Sequence, residues 1–148
     1  MLDDTDIKIL RALQGNGRIK RNEIADQIGL SIPSVSERLH KLEEKKIIEG
    51  YYTKLNSKAF GYDIMVFILV YMDSSKFYKE FIQNVEKHPN ILECHSILGQ
   101  GSHILKALVR DSNSLEKLLA QIQSWHGVTR TVTSFILSTI KETTILDI

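Results

Sequence analysis

The chain is 148 residues long, enough for one ordinary domain or two very small ones. Hydrophobic residues make up 43% and charged residues 25%, the balance of a globular protein and not of a disordered tail. Nineteen Lys and Arg against eighteen Asp and Glu leave a formal charge of +1, which excludes a strongly basic nucleic-acid coat and an acidic interaction tail.

In chain order, the first sixty residues read as helices. Ile7, Leu10 and Leu13 recur at three-residue steps and mark one apolar face of a helix starting near Asp3. Asp3 suits the N-cap, and Asp6 adds a second carboxylate in the first turn, where the helix dipole favours it. The GNGR stretch at 15–18 stops this helix, with Gly15 or Gly17 suited to a left-handed cap. Ile24, Ala25 and Ile28 mark a shorter second helix ended by Gly29. The third starts at Ser31, tolerates Pro33 in its first turn, and carries Val35, Leu39 and Leu42 as a buried stripe. IIEGYYTKL then leans toward a short β element, and residues 55–61 read as a linker.

From Tyr62 strand signals take over. MVFILVYM at 65–72 is apolar on both sides, as a strand buried on at least one face would be. Residues 75–87 fit a helix with Phe77, Phe81, Ile82 and Val85 inward. ILECHSIL and HILKALV follow as strands joined by GQGS, then a helix with Leu115, Leu118, Leu119 and Ile122 on one side, then TRTVTSFILSTI with β-branched residues alternating. Strand, helix, strand, strand, helix, strand is the split βαβ, ferredoxin-like order. The expected class is α+β: a winged helix-turn-helix over 1–54 (three helices plus a short β element), a linker over 55–61, and a βαββαβ ferredoxin-like domain over 62–148.

Two short helices joined by the glycine-containing link IGLS have the form of a helix-turn-helix, whose second helix enters a major groove of DNA. On a wheel of residues 32–42, Pro33, Ser34, Glu37, His40 and Lys41 face away from the apolar stripe, with Arg38 at the edge. Small polar side chains allow close approach to base edges, and Arg38 and Lys41 can reach bases or phosphates. Residues 1–61 hold eleven Lys and Arg against nine Asp and Glu, a surplus of two. Lys20 and Arg21, with Arg18, form a local basic cluster, and Lys45 and Lys46 follow the third helix. The same pattern also fits a solvated three-helix bundle in which Arg18 or Arg38 ties helices together through carboxylates.

The stretches LDDTDIKILRALQGNGR and EIADQIGLSIPSVSERLHKLEEKKIIEGY resemble the DNA-binding half of the Lrp/AsnC (leucine-responsive/asparagine-synthetase, feast/famine) family of transcriptional regulators. The resemblance continues through LNSKAFGY into GQGSHILKALVRD and GVTRTVTSFILSTIK, covering essentially the whole chain. It implies a sequence-specific regulator of transcription bound to double-stranded DNA, and the residues read above as placed to meet the duplex are Lys20, Arg21, Ser31, Pro33, Ser34, Glu37, Arg38 and Lys41. It also implies dimers that associate into tetramers or octamers, with a small amino-acid effector near Gly99, Gln100, Gly101, Ser102, His103, Thr131 and Thr133. The chain departs from the family pattern at Gly101 and Ser102, where many members carry an aromatic residue and then Asp, and at Lys20, where Ser or Thr more often caps the second helix. A serine offers a ligand ammonium only a neutral hydrogen bond. The residues independently predict a dimer, because the apolar strands 65–72 and 134–140 leave one sheet face in need of cover.

No catalytic or metal site is expected. His95–Ser96 and Ser102–His103 are adjacent on strands and point to opposite faces, and the histidines show no i, i+4 pair. The single cysteine, Cys94, excludes an intrachain disulfide and reads as a small apolar strand residue, and Trp125 as a packing anchor. No cofactor is implied, no apolar run reaches the ~18 residues of a membrane helix, and the acidic start lacks an export signal, which points to the cytoplasm. Two other readings stay open: an architectural DNA-bending protein with weak sequence preference, and a small-molecule sensor that does not bind DNA.

Overall fold

The computed structural model describes residues 2–148. The described residues form two compact units, residues 2–54 together with 141–148, and residues 55–140.

In the first unit, α1 (Asp4–Gly15), α2 (Arg21–Ile28) and α3 (Ile32–Glu44) enclose a core of Ile9, Ile24, Ala25, Val35, Leu39 and Leu42. Each fully buried aliphatic side chain contributes about 1.5–3 kcal/mol over its exposed state. The buried member of α1 is Ile9, whereas Leu10, Ala12 and Leu13 pack only partly against the core, so the true face is rotated from the one that Ile7, Leu10 and Leu13 suggest. Asp3 caps α1 and closes a reciprocal box with Asp6, each carboxylate accepting the other's backbone N–H. Neither Gly15 nor Gly17 is left-handed; extended Asn16 ends the helix and its N–H donates to the Ala12 carbonyl. Gly29 does take the left-handed conformation, with φ +78, turning the chain from α2 into α3.

Ser31 caps α3, and Pro33 sits in the first turn as expected. Beyond Glu44 the expected β element does not form a ladder: residues 49–63 contain no strand, and the α3 end is closed by turn hydrogen bonds such as Ile47 N–H to the Leu42 carbonyl. Tyr51 instead donates its hydroxyl to Glu43. Residues 141–148 join this unit, where Gln14 and Leu146 exchange two hydrogen bonds of 3.0 and 2.6 Å.

The second unit begins earlier than Tyr62. A short 3-10 turn over Ser57–Phe60 ends at left-handed Gly61, and Arg110 holds it by donating to the Phe60 carbonyl and stacking on Tyr62. β1 (Ile64–Met72), α4 (Tyr78–Lys87), β2 (Ile91–Ser96), β3 (His103–Val109), α5 (Ser112–Ser124) and β4 (Val128–Phe135) follow, giving an antiparallel sheet in the order β2-β3-β1-β4. Strand β4 stops at Phe135, short of the alternation that runs on to Ile140, although Ile136 still donates to the Met65 carbonyl.

Strand parity sorts the side chains. Val66, Ile68 and Val70 on β1 and Leu105, Ala107 and Val109 on β3 point to the side that packs with Phe81, Val85, Leu118 and Ile122 of the helices. Ile82 of α4 is 42% exposed and lies outside this core, contrary to the helix face expected for it. Trp125 packs its ring edge-on to Phe81 with centroids 5.6 Å apart, and Cys94 packs against the same core. On the opposite sheet face the register sets Met65, Phe67, Leu69, Ile104, Leu108 and Val132 side by side. Phe67 and Val132 remain 40% and 41% exposed there, so this apolar face lacks the cover its partner face has.

Candidate functional site

In the first unit, α3 turns Ser34, Glu37 and Lys41 away from the buried Val35, Leu39 and Leu42 and lines an open hollow with Arg38 and Lys45. Charges on this surface are largely matched. Lys41 Nζ lies 2.6 Å from Glu37 one turn back, and His40 lies 3.2 Å from Glu44. The lysine beside it holds the Glu37 carboxyl below its ordinary range. Arg38 is committed elsewhere: its Nη1 makes 2.7 Å ion pairs with both Asp3 and Asp6, tying α3 to the cap of α1. Hydrogen bonds from the Asp6 backbone and the Arg38 side chain hold the Asp3 carboxyl below the usual carboxylate range. The structure thus gives Arg38 a bracing contact between α3 and α1, the tie through carboxylates that the sequence also allows for it. Ser31 and Ser34 hydroxyls lie 2.9 Å apart across the first turn.

Lys20 precedes α2, and its own N–H donates to Glu23, so half of a capping box survives without a Ser or Thr. Arg21 reaches the Ser36 hydroxyl of α3 at 3.4 Å. Among the described residues, Arg18, Lys20, Lys45 and Lys46 have no carboxylate within ion-pair distance, so the uncompensated cations flank α3 and do not sit at its centre. Arg18, Lys45 and Lys46 lie outside the contact set expected from the sequence.

In the second unit, the link between β2 and β3 forms one wall of an open cavity of about 720 Å³. Its lining is Ile97 to Ser102 with Tyr71, Met72, Tyr78, Ser96 and Arg130. Two features shape the turn. Gly99 and Gly101 take φ +128 and +79, and a Cβ on Gly101 would come 3.1 Å from the Val70 carbonyl oxygen. That same oxygen accepts the Ser102 N–H at 2.8 Å and the Ser102 hydroxyl at 3.1 Å. Having given its only proton to Val70, the hydroxyl accepts from Nδ1 of His103 at 3.0 Å, which fixes that nitrogen as the protonated one. His103 is 2% exposed, wedged against Tyr78 and Phe81 with ring centroids 4.8 and 4.7 Å away, and burial pushes its pKa down.

Thus Gly99, Gln100, Gly101 and Ser102 come together at the cavity, and His103 backs it from inside. Thr131 and Thr133 do not line it. They pair across the ladder with Val70 and Ile68, whose side chains face the helices, and Thr131 accepts a 2.8 Å hydrogen bond from Gln123 of α5. Their neighbour Arg130 does line it, its guanidinium 4.1 Å from the Tyr71 ring centroid. Tyr71, Tyr78 and Arg130 were not marked by the sequence, because only the β1–β4 register brings Tyr71 opposite Arg130.

Residues 2–49 match the winged helix-turn-helix DNA-binding family, and residues 65–146 match the Lrp/AsnC ligand binding domain. The HTH-type transcriptional regulator FL11 of Pyrococcus horikoshii is 35% identical over 99% of this chain and 97% of its own length. A transcriptional regulator of Neisseria meningitidis solved in complex with L-methionine superposes with a TM-score of 0.93 at 34% identity, covering 99% of this chain and 97% of that one. Escherichia coli AsnC superposes with a TM-score of 0.90 at 29% identity, covering 98% of both chains. A helix-turn-helix joined to a ferredoxin-like ligand-binding domain defines a class of DNA-binding transcriptional regulator. Within that class, this chain belongs to the Lrp/AsnC family.

Proposed function

We propose that the protein regulates transcription by placing α3 in the major groove of a specific DNA site and that it acts as a regulator and not as an enzyme. The observation that carries this is the arrangement around α3: left-handed Gly29 makes the turn, Arg38 is spent on bracing α3 to α1, and Ser34, Glu37 and Lys41 are left facing outward between unpaired Lys and Arg. The flanking cations supply phosphate contacts that hold the helix in register, while the outward side chains meet base edges.

Two copies join through the uncovered face of Met65, Phe67, Leu69, Ile104, Leu108 and Val132, presenting two α3 helices to a pseudo-palindromic site, and dimers assemble further into tetramers or octamers. A small effector, an amino acid in the first instance, occupies the cavity at Gly99 to Ser102 and alters the geometry between assembled copies. The neighbours solved with L-methionine support a ligand for this domain. The work takes place in the cytoplasm, where the DNA lies; among the described residues no helix is long and apolar enough to cross a membrane.

Binding of the full chain to selected genomic fragments, followed by fluorescence anisotropy across a salt series, tests this reading. A few short protected sites and a steep fall in affinity with salt are expected. Long periodic protection would favour an architectural role, and unchanged binding by both Ser34→Ala and Lys41→Ala would refute the docking face.

A further inference from the structure

Three carboxylates line the hollow beside α3: Asp3, Asp6 and Glu37. Two of them are spent, since Asp3 and Asp6 share the Arg38 guanidinium and cap α1. Glu37 is different. Its side chain is 67% exposed, and its only hydrogen-bond partner among the described residues is Lys41, 2.6 Å away and itself 58% exposed. An ion pair so open to water is weak, so a phosphate can draw Lys41 away from it at small cost. The carboxylate left behind stands in the N-terminal half of α3, one turn beyond Ser34, in the part of a recognition helix that meets base edges.

An anion between two rows of phosphates is repelled unless it meets a hydrogen-bond donor. On the major-groove edge guanine and thymine offer it only acceptors and a methyl group. Adenine and cytosine each offer an amino group, but adenine sets the N7 lone pair beside it, against the second carboxylate oxygen, where cytosine has a C–H. We propose that Glu37 is a specificity-determining residue, accepting a hydrogen bond from the N4 amino group of a cytosine at one position in each half of the DNA site. The proposal rests on the reading that α3 occupies the major groove. Glu37 selects chiefly by what it repels, while Lys41, released to a phosphate, supplies affinity without regard to sequence.

Selection of sites from a random duplex pool by the full-length protein, followed by anisotropy titrations on the selected duplex, tests this. The wild type is expected to enrich cytosine at one position of each half-site, and exchanging that C·G pair for T·A should weaken binding about tenfold or more. Glu37→Gln should move the preference at that position to adenine, whose N6 and N7 match an amide, and Glu37→Ala should flatten that position alone. Both variants should keep the wild-type circular dichroism spectrum, because the side chain is exposed. An unaltered base preference in both variants overturns the proposal; if Glu37→Ala then changes only the salt slope, Glu37 merely holds Lys41. Relaxed preference at every position alike overturns it too, leaving Glu37 a general repulsive charge. A wild type that enriches no site removes the docking of α3 itself, and the proposal with it.

Discussion

The carbonyl oxygen of Val70 accepts two hydrogen bonds from one residue, Ser102, and passes close under the Cα of Gly101. Any side chain at 101 meets both a left-handed backbone and that oxygen, so Gly101→Ala should cost about 1–3 kcal/mol, read as a lower urea midpoint. Next to it, His103 is a buried imidazole with aromatic neighbours and a hydroxyl acceptor and without a paired carboxylate among the described residues. Burial lowers its pKa below the ordinary value of 6.5. As pH falls through that ordinary value the unfolded chain takes up the proton first, so this residue's contribution is complete above about pH 6.5 and is lost progressively below it. Chemical denaturation between pH 5 and 8 should show the wild type losing stability toward the acid end. His103→Gln, which keeps a donor for Ser102, should show a flatter profile.

Helix α3 separates what is readable in a sequence from what is not. Its stripe of Val35, Leu39 and Leu42 follows from a period of 3.6 alone, and all three are buried. The fate of Arg38 does not follow, because its partners Asp3 and Asp6 lie 35 and 32 residues away and depend on how α1 crosses α3. The two arginine and lysine positions on this helix should therefore part company on mutation. Arg38→Ala should lower the thermal midpoint of unfolding and leave the slope of log affinity against log salt nearly unchanged. Lys41→Ala should leave the midpoint in place and reduce that slope by about 1, the signature of one lost phosphate contact. On β4 a shift of one position exchanges the helix side for the open side: Thr131 and Thr133, named through the family resemblance, lie on the helix side, and Arg130 lies opposite Tyr71. The missing ladder after Lys46 has a similar origin, since an extended segment becomes a strand only when another backbone lies beside it.

At the scale of the whole molecule, the order of elements and the division into a helical and a β-rich unit were legible from hydrophobic period alone, because each long segment carries a consistent pattern. The exact division was not. Residues 141–148 join the helical unit through hydrogen bonds to Gln14, a contact with no local signal, and residues 55–61 are folded into the second unit by Arg110. In the proposed dimer the open sheet face is the surface through which two copies join. Leu69→Asp puts a charge at the middle of that patch, between Ile104 and Val132, and should shift sedimentation from dimer or larger species to monomer while circular dichroism stays native. Strand β1 contributes to both sides of this question, since it carries the patch on one face and, at Val70, the carbonyl that grips Ser102. The Ser102 amide proton is accordingly a built-in gauge. When a molecule settles into the glycine turn, slower deuterium exchange at this one position would report the event, and any loosening of the grip would be felt first by the central strand.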